Sequence, residues 1–260
     1  MALTDHKKHE ADSGIRVVTP SKPLKANCWS CGAMRAAHFC QECGKVQPPV
    51  PVDYFTFFGL SYRLNLDPST LEREFYGLSR HLHPDINAIN SDREQQWSLE
   101  KSSQLNDAYR TLKDPITRTE YLLRLQGVQL EEQSKEATEE ARRTGKLKKQ
   151  VVPPDLLEEV FELNMQLEEM RMNKKMGEND RTLERQLQDA KKHMQSKYDG
   201  MMQELSATWN EWDALVDRAD GGETVLEDDR LAVRDKMLAV LNRRNYLRNL
   251  LRDIDDVLES

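Results

Sequence analysis

DPSTLEREFYGLSRHLHPD, residues 67 to 85, is the stretch that decides the fold. Asp67 followed by Pro68 is a helix start: the carboxylate accepts from free amides of the first turn, and proline loses nothing at the first helical position. Leu71, Phe75, Leu78 and Leu82 then fall at i, i+4, i+7 and i+11, one apolar stripe of a helix. Pro84 has no amide to donate and disfavours helical geometry at His83, so the helix ends there. His83 and Asp85 open a polar loop, INAINSDRE, and a second helix follows with Trp97, Leu105, Ala108, Tyr109 and Leu112 on one face. Asp114-Pro115 starts a further short helix carrying Tyr121, Leu122 and Leu125. Two antiparallel helices that bury those stripes together hold the His83-Pro84-Asp85 loop out in water.

Working outward toward the N-terminus, all four cysteines lie between Cys28 and Cys43, as the pairs Cys28-Trp29-Ser30-Cys31 and Cys40-Gln41-Glu42-Cys43. Each pair can curl two thiolates toward one ion, and four thiolates suit tetrahedral zinc. Gly32 and Gly44 follow the second cysteine of each pair, where a tight knuckle needs a residue tolerant of positive φ. With its four positions filled by protein, such a zinc has no place for an activated water and is structural. A redox dithiol and an iron-sulfur site are the alternatives, and His38 is near enough to be a spare ligand, but four cysteines already fill the shell. Only Lys25, Arg35 and Lys45 supply positive charge here, a poor footprint for phosphate. Residues 1–23 are polar and non-periodic, which predicts a disordered tail, and QPPVP at 47–51 reads as a stiff linker.

Beyond residue 127 the stretch EEQSKEATEEARRTGKLKKQ, 131–150, has blocks of acid and then base, the pattern of a solvated helix or linker. From Pro153 onward three long amphipathic helices are separated by breaks near Gly177-Glu178-Asn179 and Asp220-Gly221-Gly222, which predicts an antiparallel three-helix bundle or arm. In the first of these, Leu156, Val160, Leu163, Leu167 and Met170 form one seam, and Leu157, Phe161, Met165 and Met172 form a second stripe. One small bundle cannot easily bury both. The second stripe either packs on the hairpin or on 131–150, or serves as a groove for a partner, a use to which methionine and phenylalanine are suited. The last helix has the seam Val233, Met237, Val240, Leu247, Leu251, Ile254 and Leu258, and Tyr246 lies off it on a more exposed side.

Composition sets the outer limits. A chain of 260 residues has room for about two domains. Its 38 Lys and Arg against 45 Asp and Glu give a formal charge of −7, which repels phosphate backbones and anionic membranes, so neither nucleic acid nor membrane is expected as a partner. No run approaches the ~18 apolar residues of a spanning helix. The first 25 residues have neither a signal-peptide apolar region nor the acid-free pattern of a transit peptide, so the expected location is cytoplasmic, with a matrix form left open. No phosphate loop, dinucleotide fingerprint or nucleophile with a recognisable base is present, which argues against an enzyme.

YFTFFGL at 54–60, the helix ending in His83-Pro84-Asp85, and LNDAYRTLKDPITRTEYLL at 105–123 resemble a J domain, specifically that of the HscB family of iron-sulfur co-chaperones; the paired cysteines resemble its zinc-bearing variants. The resemblance covers about residues 52–258. Together with the readings above, it gives an expected all-α chain: a disordered tail at 1–23, a four-cysteine zinc knuckle at 24–48, a J-domain helical hairpin at 52–127, a charged linker at 128–152 and a C-terminal three-helix scaffold-binding domain at 153–260. It further implies that His83, Pro84 and Asp85, with Arg80, touch a DnaK- or HscA-type chaperone and stimulate its ATPase. Leu157, Phe161, Glu162, Met165 and Tyr246 match the family's surface for an IscU-type scaffold protein. A general J-domain co-chaperone, or a zinc-dependent interaction scaffold unconnected with clusters, is the alternative. One departure is that Glu72 and Glu74 accompany Arg73 and Arg80, so the helix lacks a strongly basic face and steering toward the chaperone is weaker.

Overall fold

Aspartate side chains start four of the described helices. Asp53 accepts from the Thr56 amide at the head of α1 (Tyr54–Phe58), and Asp67 accepts from the Ser69 and Thr70 amides at the head of α2 (Pro68–Leu82). α3 (Asp92–Lys113) follows, and Asp114 caps α4 (Pro115–Leu125) through the Thr117 amide. A single 3-10 turn, Pro154–Leu156, leads into α5 (Leu157–Met176), which Gly177 ends at φ 76°, a left-handed conformation that favours glycine. Asp180 then caps α6 (Arg181–Asp220), and α7 (Glu227–Glu259) closes the chain. This computed structural model describes residues 26–34, 37–87, 90–128, 153–178 and 180–259. The expected tail at 1–23 and the charged stretch at 131–150 lie outside the described residues. Among the described residues the architecture is all-helical, and the extended pairing recorded is one antiparallel bridge, Phe39 with Val46. No helix described is long and apolar enough to cross a membrane.

The stripes find each other as their spacing predicts. α2 and α3 pack antiparallel with Leu71, Leu82, Leu105, Ala108 and Leu112 buried between them, and Phe75 stacks on Tyr109. α1 contributes Phe55, Phe57 and Phe58 to the base of this hairpin. α6 and α7 run side by side over most of their length, with α5 laid across both.

The two helical units form one continuous core, joined where residues 61–65 cross α6. The buried Asp213 carboxylate accepts from the backbone amides of Leu64 and Asn65, at 2.7 and 2.9 Å, and from the Asn65 carboxamide. Trp212, fully buried, donates its indole N–H to the Tyr62 carbonyl at 2.7 Å. Arg63 pairs with Asp217, and the buried Arg230 of α7 donates to Gln126 just after α4.

Tyr246 departs from expectation. It is 8% exposed, not on an open side of α7. It shares a flank of the helix with Leu250 and Val257, and α5 covers that flank: Lys174 donates to the Val257 carbonyl at 2.7 Å and Arg243 pairs with Asp155. An off-seam position is buried because α7 is covered from two directions.

Candidate functional site

Ending α2 at a proline leaves carbonyls of its last turn without intrahelical partners. His83 is extended, φ −64° and ψ 132°. The Leu82 carbonyl accepts from the hydroxyls of Ser98 and Ser102 on α3, and the Asn87 carboxamide donates to the carbonyls of His81 and His83, both at 3.0 Å. The Ile86 and Asn87 amides turn back onto the His83 and Pro84 carbonyls. Within this frame the side chains of His83 and Asp85 are 53% and 88% exposed. The Asp85 amide donates to His83 Nδ1 at 3.2 Å, so in the neutral ring the proton sits on Nε2. Arg80 lies exposed one turn earlier. The arrangement presents one donor and one carboxylate on a fixed backbone. Among the described residues it has no cleft, and no third group that would orient the histidine as a base.

The cysteine pairs fold into two matching knuckles. The Cys28 amide donates to the Ala33 carbonyl and the Gly32 amide to the Cys28 carbonyl; Cys40, Lys45 and Gly44 repeat the pattern. Gly32 and Gly44 have φ of 73° and 71°, the left-handed geometry expected of them. All four sulfurs lie within 4.8 Å of one another, with Cys28 to Cys43 and Cys31 to Cys40 at 3.7 Å. Four sulfurs held at ~2.3 Å around one tetrahedral ion lie about 3.8 Å apart, so the set fits zinc. The Cys31 amide, helped by the Ser30 amide and the Gln47 carboxamide, lowers the Cys28 thiol to about 6, whereas, against the Ala33 amide, the neighbouring sulfurs and burial raise the Cys31 thiol to about 12. His38 is not a spare ligand. Its Nε2 donates to the Phe57 carbonyl at 2.8 Å, and burial holds the ring neutral, lowering it to about 4.

α5 carries the third candidate surface. Val160, Leu163, Leu167 and Met170 face the bundle, whereas Leu157, Phe161, Met165, Met172 and Met176 are all more than half exposed, Phe161 at 68%. The two sets point about 150° apart at 100° per residue, and the exposed one runs for roughly 28 Å. Among the described residues the hairpin does not cover it. Glu162 flanks Phe161, also exposed. Among the expected scaffold-facing residues the structure brings Leu157, Phe161, Glu162 and Met165 to one exposed side of α5, while Tyr246 is buried on α7.

No family model matches the chain. It is 38% identical over 117 residues to the iron-sulfur cluster co-chaperone protein HscB of Mus musculus, which covers 43% of this chain and 50% of that one. To the Arabidopsis thaliana homolog of that protein it is 32% identical over 145 residues, 55% of this chain and 52% of the other. The chain therefore spans about half the length of the curated relatives it matches. The crystal structure of human co-chaperone protein HscB shares the fold of this chain, with a TM-score of 0.55 and 21% identity over 88% of this chain and 97% of that one. The names of both relatives and of the solved structure describe a co-chaperone.

Sequence reasoning passes over Asn87, Ser98 and Ser102, which hold the loop. Each reads as an ordinary polar residue. The signal that finds them is an accounting one: a helix stopped by proline needs outside donors for its last carbonyls, and the facing helix offers two serines one turn apart. The linker reading of 47–51 also sets the knuckle apart from the hairpin, and the structure joins them. Val46 is buried in the main core, Trp29 meets Trp97 edge to face at 5.7 Å, and the buried Lys101 of α3 donates to the His38 carbonyl at 3.1 Å. Burial lowers Lys101 to about 8.

Proposed function

We propose that the chain is a co-chaperone of iron-sulfur cluster assembly, which brings an IscU-type scaffold protein to a DnaK- or HscA-type chaperone and stimulates that chaperone's ATPase. The observation that carries the reading is the exposed His83-Pro84-Asp85 turn, fixed by Asn87 and Ser98 at the tip of an antiparallel hairpin, in a chain related to HscB. His83 Nε2, the Asp85 carboxylate and Arg80 offer a charged partner two donors and an acceptor, while Pro84 sets the backbone between them. The exposed side of α5, with Leu157, Phe161 and Met165 as anchors and Glu162 at the edge, receives the scaffold; Tyr246 supports α5 from below. Zinc held by Cys28, Cys31, Cys40 and Cys43 is structural, not catalytic. Residence in the cytoplasm or the matrix is part of the same proposal.

The chain does no chemistry in this account. Holding both partners on one rigid body raises the concentration of scaffold at the chaperone, which couples ATP turnover to cluster release. A two-partner turnover assay tests it. The chain alone should raise ATP hydrolysis by a DnaK-type chaperone, and adding an IscU-type scaffold should raise it further. A chaperone rate indifferent to both additions contradicts the proposal.

A further inference from the structure

The cysteine knuckle touches both arms of the hairpin, at the two places where the His83-Pro84-Asp85 loop leaves and rejoins it. On the α2 side, Phe39, next to the ligand Cys40, stacks on the His81 ring with centroids 4.1 Å apart and planes 22° apart. His81 is in the last turn of α2, and its carbonyl accepts from the Asn87 carboxamide that also holds the His83 carbonyl. On the α3 side, Lys45, next to Gly44 of the second knuckle, pairs at 3.0 Å with Glu94, whose side chain is buried and also accepts from Ser91, the residue that caps α3. Deeper in, Lys101 reaches the His38 carbonyl and Trp29 meets Trp97. Phe39 and Val46 are themselves fixed by their bridge, at the base of the second knuckle.

We propose that the knuckle is a brace for the His83-Pro84-Asp85 loop, with Phe39 and Lys45 as the positioning residues that transmit its folded, metal-held state to α2 and to the start of α3. A four-cysteine knuckle has no core of its own and folds with its metal. The two contacts that reach the loop's ends are a ring stack and an ion pair. Both need Phe39 and Lys45 held in place, and both go when the knuckle opens. The loop then keeps its bonds to Ser98 and Ser102 but loses the grip on His81 and Glu94, so it opens locally more often while the hairpin core stays intact. Metal occupancy thereby sets how well the chaperone-facing groups are presented. The effect on chaperone stimulation rests on the function proposed above; the effect on the loop does not.

Amide hydrogen exchange on the zinc-loaded protein reads the loop directly at Ile86 and Asn87, with Leu122 as the reporter of the hairpin core. Phe39→Ala should speed exchange at Ile86 and Asn87 by roughly tenfold and leave Leu122 unchanged, and removing zinc with a chelator should do the same. His81→Ala breaks the stack from an exposed position that the core does not need, and gives the same result should Phe39→Ala unfold the chain. Stimulation of a DnaK-type chaperone should fall in each case. Unchanged exchange at Ile86 and Asn87 in His81→Ala, or in chelated protein, overturns the brace. His83→Gln separates the two claims: intact stimulation by His83→Gln alongside faster loop exchange in Phe39→Ala leaves the brace standing and refutes the chaperone contact.

Discussion

Asn87 shows how a single carboxamide can hold a functional turn. It donates to the carbonyls of His81 and His83 and lies 3.2 Å from the Ser98 hydroxyl, and it is 5% exposed, so no water replaces it readily. Asn87→Ala removes the carboxamide donor that the His81 and His83 carbonyls share, a loss of about 1 kcal/mol. Urea unfolding should show that loss, and chaperone stimulation should drop although His83, Pro84 and Asp85 are all present. Wild-type stability and stimulation in Asn87→Ala would mean that the loop is held by something else. His83 and Asp85 are legible from the tripeptide and its place after an apolar stripe. Asn87 is not, because its role depends on α3 delivering Ser98 opposite the end of α2, a long-range fact with no local signature.

At the level of the element, α5 is unusual in having two apolar sides. A one-sided helix buries its stripe and is finished; here the seam Val160, Leu163, Leu167 and Met170 is satisfied by α6 and α7, and Phe161 and its neighbours are left facing water. Phe161→Ala with Met165→Ala should therefore leave the unfolding midpoint almost unchanged but weaken scaffold binding by about 10- to 100-fold, as removal of central anchors does. Leu163→Ala should do the reverse, lowering stability by about 2–5 kcal/mol. Titration calorimetry beside thermal melts distinguishes them, and equal scaffold affinity in the double variant removes this face from the account. The doubled stripe is plain in the spacing of residues 156–172. Tyr246 is misread from the same rules, since periodicity gives the direction of a side chain but not which neighbour lies over it. The knuckle is the opposite case: pair spacing and two glycines foretell its fold, and zinc analysis should find about one ion per chain.

Across the whole molecule, the hairpin and the C-terminal helices are held by a buried acid where sequence suggests only a tether. Asp213 lies between Trp209 and Trp212 on one side and Leu215 and Val216 on the other, and along the helix it looks like one more surface charge. Its carboxylate in fact receives the amides of Leu64 and Asn65 across the junction. Asp213→Ala removes a charged acceptor from buried donors and should cost about 3 kcal/mol. In a two-partner assay it should keep binding to each partner but lose part of the extra stimulation that scaffold adds, because the two surfaces are no longer fixed relative to each other. The central claim is more direct than any of these: His83 serves another protein's ATPase. The measurement is ATP turnover by a DnaK-type chaperone with saturating wild-type chain or with His83→Gln, matched for folding by circular dichroism. Stimulation lost in His83→Gln, with scaffold binding retained, is the predicted result; stimulation equal to wild type contradicts the account.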